Sequence, residues 1–83
     1  MPQVYRDDRS NSYIIHQEAG GRHHTPHVHV KGAEQAAVIA LEDPPYVIVE
    51  SKCSDRWLNY VVAVVGMHTV FNSLQEVWNQ LNT

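Results

Sequence analysis

The chain has 83 residues, enough for a single domain across residues 1–83 and too few for two. Hydrophobic residues make up 43% and charged residues 18%, a balance that excludes a disordered tail. Six Lys and Arg stand against nine Asp and Glu, for a net charge of -3 with histidine neutral; this excludes broad binding to a DNA backbone and leaves room for a local nucleotide or single-strand site.

The first strand candidate is the short Val4-Tyr5-Arg6, followed by Asp7-Asp8, which reads as surface charge. Tyr13-Ile14-Ile15-His16 is β-branched and aromatic and predicts a strand. Glu18 to Thr25 holds two glycines and no large apolar residue, and reads as a loop. It runs into His27-Val28-His29-Val30-Lys31, whose alternation puts Val28 and Val30 on one face and His27, His29 and Lys31 on the other. A turn at 31–34, a strand over Ala36–Leu41, a turn at Asp43-Pro44-Pro45 and a strand over Tyr46–Glu50 follow. Tyr46, after the prolines, is expected to pack at its strand end.

The remainder reads as two helices. The first spans about 55–66, capped by Ser54 or Asp55, with Leu58, Val61, Val62 and Val65 in one stripe and Gly66 as its breaker, the β-branched valines leaving a strand over Tyr60–Val65 as the alternative. The second spans about 72–82, with Ser73 to Glu76 as a capping box and Leu74, Val77, Trp78 and Leu81 as its apolar stripe. His68 falls in the break between them. Trp57 and Trp78 read as core or interface anchors. The expected fold is α+β: a small antiparallel sheet of three or four strands packed on C-terminal helices, with the other sheet face left for His27 and His29.

The lone Cys53 allows no intrachain disulfide. The first eight residues lack the apolar stretch of a signal peptide, and the longest apolar run, Tyr60 to Met67, is too short for a bilayer. The expected compartment is the cytoplasm, with no membrane partner.

Thr25-Pro26-His27-Val28-His29-Val30 resembles the Pro-Pro-His-(Val/Phe)-His-Val hallmark of a bacterial and phage family, the domain of unknown function numbered four-one-six-zero. Met1-Pro2 with Arg6, Asp43-Pro44-Pro45-Tyr46 and the Leu74 to Asn79 ending are similar too. The resemblance covers nearly the whole chain, with Thr25 in place of the first proline. It implies a compact sheet-and-helix domain and no defined activity. It also implies kinship with small proteins encoded beside short partner genes, in the manner of toxin–antitoxin pairs. A likeness to the nucleotide hydrolases with three alternating histidines is rejected, because Lys31 occupies the third position.

Four of six histidines lie between positions 23 and 29. His27 and His29 project the same way about 6.6 Å apart, close enough for both imidazoles to reach one divalent ion such as zinc. His24 could supply a third ligand, and Glu18 or His16 another. The same His24, His27, His29 and Lys31, with Arg22 nearby, could instead hold a phosphate or nucleotide, and two histidines could act as acid and base in cleaving RNA. A function of another class is an interaction module, a toxin–antitoxin-like component or phage inhibitor acting through a protein partner or as a homodimer.

Overall fold

The computed structural model describes residues 3–16 and 25–82. Five strands precede two helices: β1 (Gln3–Arg6), β2 (Ser12–Ile14), β3 (His27–Lys31), β4 (Ala36–Ala40), β5 (Tyr46–Ser51), α1 (Asp55–Val65) and α2 (His68–Leu81). The fold is α+β as expected, but the sheet has five strands and not three or four, because the short β1 pairs with β2 and adds an edge. Each strand lies antiparallel beside its sequence neighbour, in the order β1-β2-β3-β4-β5.

The register separates two faces. Tyr13 opposes Val30 and Val30 opposes Ala37, while Val28 opposes Ile39; these residues are buried. They meet Val61, Val64 and Val65 of α1 and Val70, Leu74 and Trp78 of α2 in one core. Directly opposed residues share a face, so Ile14, His29, Val38 and Val49 form a row on the other side, which the helices leave open. No described helix is long and apolar enough to cross a membrane.

Ser54 caps α1, its hydroxyl accepting from the Trp57 amide at 3.1 Å. Gly66 ends that helix by donating its amide to the Val62 carbonyl at 3.0 Å. The second helix starts at His68, four residues before the expected 72, so Ser73 and Glu76 lie inside it and form no capping box. Val70 is buried one turn before Leu74 and Phe71 packs beside it; the apolar stripe therefore begins earlier than the box suggested, and tertiary burial outweighs local capping. His68 accordingly opens α2 and does not sit in a break. Tyr46 does not pack at its strand end either: it is 51% exposed, because it opposes Ala40 on the edge strand β5, on the side of the sheet away from the helices.

Asp7 corrects the reading of Asp7-Asp8 as surface charge, for it is only 7% exposed. Its carboxylate accepts from the amides of Arg9 (2.8 Å) and Asn11 (3.0 Å), the Asn11 side chain (2.9 Å) and the Tyr13 hydroxyl (2.7 Å). Burial alone raises a carboxyl pKa, but these donors outweigh it and hold Asp7 below the ordinary carboxylate value. Burial and the Asp7 carboxylate push the Tyr13 hydroxyl far upward, so it stays a donor. Asn11 then accepts from Trp57 Nε1 of α1 at 3.0 Å, and the Arg9 guanidinium lies 4.1 Å from the Tyr60 ring centre. Through these contacts the β1–β2 turn is fastened to α1.

Gly32 leaves room for this junction. A Cβ there would stand 2.8 Å from Asn11 Oδ1 and 3.1 Å from Trp57 Nε1. Asn11 is held at both ends of its amide and cannot step aside cheaply. Gly32→Ala is therefore expected to destabilise the fold by about 1–3 kcal/mol, read from the midpoint of urea unfolding; an unchanged midpoint would show that the junction gives way.

Candidate functional site

The alternation of β3 sends His27 and His29 to the open face, and both are half-buried. Ile14 of β2 opposes His29, and His16 lies two residues further along on the same side. The result is a row of rings. His16 meets His29 at 4.2 Å between ring centres with planes 80° apart, and His29 meets His27 at 5.3 Å and 63°. Trp78, near the C-terminal end of α2, closes the row at 4.9 Å from His27. The site is thereby joined to the core through a buried indole.

His27 Nδ1 is 2.7 Å from the Thr25 carbonyl. A carbonyl oxygen only accepts, so Nδ1 carries a proton and donates it. Nε2 then bears the lone pair in the neutral ring, or a second N–H in the imidazolium. The same imidazole can serve a metal ion in the first state and an anion in the second. A pair of such rings also has the acid and base groups for proton transfer at a phosphodiester.

The structure brings together three of the residues named from sequence, His16, His27 and His29. Lys31 lies two residues beyond His29 on the same face and is exposed. His24, like Glu18 and Arg22, lies outside the described residues. Among the described residues, no set of three or more His, Cys, Asp or Glu is arranged to hold a metal ion. His68 is placed elsewhere, beside a cavity at the α1–α2 junction, where its Nε2 is 3.3 Å from Asn72 Nδ2. Cys53 donates its thiol toward the carbonyls of Ala36 (3.0 Å) and Ser51 (3.2 Å).

The charge of the open face is one-sided. Among the described residues, Asp7, Asp8, Glu34, Glu42 and Asp43 lie in the turns and Asp55 and Glu76 in the helices, while Glu50, opposite the buried Ala37, borders the face at its β5 edge. Lys31 is exposed and the imidazoles are half-buried beside it. Sequence reading missed this segregation, because it follows from strand register and not from composition.

Compared with known proteins, residues 13–79 match a family model described as Domain of unknown function (DUF4160). No curated protein and no solved structure matches the chain.

Proposed function

The chain belongs to the DUF4160 family, and within that frame we propose that it binds a phosphate-bearing, nucleotide-type ligand on the open face of its sheet through His27, His29 and Lys31. The observation that carries this reading is the face itself, which gathers His16, His27, His29 and Lys31 while Glu50 is the one described carboxylate at its border. Ionised donors to phosphate form short, strong hydrogen bonds, and Lys31 adds a fixed positive charge. Because Nδ1 of His27 already donates to Thr25, donation from Nε2 to a phosphate oxygen requires the imidazolium. Ligand binding is then coupled to proton uptake.

A divalent metal such as zinc is the second reading, favoured by one observation. An imidazole whose Nδ1–H is fixed by a backbone carbonyl presents Nε2 as metal ligands commonly do. The two readings differ in the sign of their proton linkage, since a metal displaces protons from its ligands.

The test is calorimetric titration with uridine monophosphate and, separately, with zinc, each in buffers of different ionisation heat. Nucleotide binding with proton uptake, weakening as pH rises through the imidazole range, is the expected result. His27→Ala/His29→Ala should weaken it about 100-fold, the loss of two charge-assisted hydrogen bonds. Zinc binding with proton release and no heat from the nucleotide would transfer the site to the metal reading. Silence toward both would overturn the site.

A further inference from the structure

The open face carries a second cationic feature beside the histidine row. The register sets Arg6 against Ser12 and Ser12 against Lys31, so the three residues stand abreast on β1, β2 and β3. Opposed residues share a face, and Lys31 shares its face with His29. Arg6 and Lys31 are exposed and Ser12 is half-buried. Strands are spaced by about 4.8 Å, which puts the Cα atoms of Arg6 and Lys31 about 10 Å apart with one small side chain between. Two long cationic side chains at that separation can close on a single anion from both sides.

The row lies about 6.6 Å along β3 from His29. Beside both, a shallow cavity of about 120 Å³ is bordered by His29 and Lys31 of β3, Ala36 and Val38 of β4 and Val49 of β5, with Glu50 at its β5 rim. His29, Lys31, Ala36, Val38 and Val49 share the open face, and the small Ala36 and Val38 of β4 make the floor of the cavity. Its volume equals that of about four waters, room for one planar ring and not for a whole nucleotide. An apolar floor bordered by an imidazole suits a nucleobase, and the cationic groups along its β3 side suit the phosphates attached to that base.

The exposed carboxylates limit how far such a ligand extends. Asp8, Glu34, Glu42 and Asp43 all sit in turns at the ends of the strands. A polyanion longer than the face meets these charges, and a rigid duplex cannot lower one base into the trough.

We propose that Arg6 and Lys31, straddling Ser12, form a second phosphate subsite, and that the ligand class is therefore a short single-stranded nucleic acid. One phosphate rests on His27 and His29, the next lies between Arg6 and Lys31, and the base turns to the β4 side of β3 to cover Ala36 and Val38. This inference rests on the phosphate reading proposed above, and Arg6 separates the two, because only the second subsite uses it.

The experiment compares uridine monophosphate, 5′-phosphorylated diuridylate, single-stranded hexauridylate and a short RNA duplex on the full chain. The dinucleotide should bind at least about tenfold tighter than the mononucleotide, and the hexamer should gain little more. Arg6→Gln should return the dinucleotide to the affinity of the mononucleotide, leave the mononucleotide and the melting temperature unchanged, and reduce the salt slope of dinucleotide binding by about 0.7. Arg6→Lys should restore much of the loss. A dinucleotide no tighter than the mononucleotide overturns the second subsite and leaves the phosphate reading standing. So does an Arg6→Gln variant that weakens both ligands equally or neither. Equal binding of the duplex overturns the single-strand assignment, and a parent protein that binds none of these ligands overturns the phosphate reading and this inference together.

Discussion

Asp7→Ala is expected to remove about 3–4 kcal/mol of folding stability, most of what a domain of this size holds. The Asp7 carboxylate accepts four hydrogen bonds in a nearly closed environment. Without it, the fully buried Tyr13 hydroxyl and the Asn11 side chain lose their acceptor, and each unsatisfied buried donor costs about 1–3 kcal/mol. Asn11 would also hold Trp57 less firmly, loosening α1 from the turn. Urea unfolding of the variant, beside Tyr13→Phe and the double variant, measures this. A loss under about 1 kcal/mol for Asp7→Ala would mean that water replaces the carboxylate without penalty.

The same carboxylate gives the stability a pH dependence of known sign. Its folded-state pKa lies below the ordinary carboxylate value. The group therefore contributes its full stabilisation above the unfolded pKa and loses it as pH falls through the folded value. The parent protein should weaken on acidification below about pH 4, and Asp7→Asn should flatten that limb.

The second large effect is expected at Trp78. It is 5% exposed, and its ring meets both the core and His27. Trp78→Ala should cost about 3–5 kcal/mol, the usual range for emptying a buried aromatic site. Trp78→Phe keeps most of the apolar volume while withdrawing part of the surface against which the His27 ring lies. It should fold, and it should weaken nucleotide binding by about three- to tenfold, the size of one aromatic contact. Calorimetry on the folded Phe variant separates the two roles; unchanged affinity would make Trp78 a core residue alone.

Much of this molecule can be read from local pattern. The alternation in His27–Lys31 places two histidines and a lysine on the side away from Val28 and Val30, and the fold keeps them there. Pro44 and Pro45 mark the β4–β5 turn, and Ser54 marks the start of α1. What escapes local pattern is decided between distant segments. Asp7 looks solvated beside Asp8 until the turn returns Asn11 and Tyr13 to it; the Asp, Ser and Asn of that turn were the available signal, since such side chains bond their own backbone. The start of α2 was hidden because Ser73–Glu76 resembles a cap, whereas Val70 and Leu74, a turn apart, report the continuing helix. The contact of His16 with His29 and the abreast placement of Arg6 and Lys31 require the register, which no single strand encodes.

The sheet has a further consequence for the birth of the protein. Because its strands are neighbours in sequence order, the ribbon can zip as it leaves the ribosome, hairpin by hairpin, without waiting for a remote partner. Its cover arrives last: Leu41 is made well before Val61 and Leu74, which pack against the same core. At synthesis rates of about 5–20 residues per second, the apolar side stands open for about two to seven seconds on each nascent chain. That interval is when a chaperone, or a neighbouring nascent copy, has access to Val28, Val30 and Ile39.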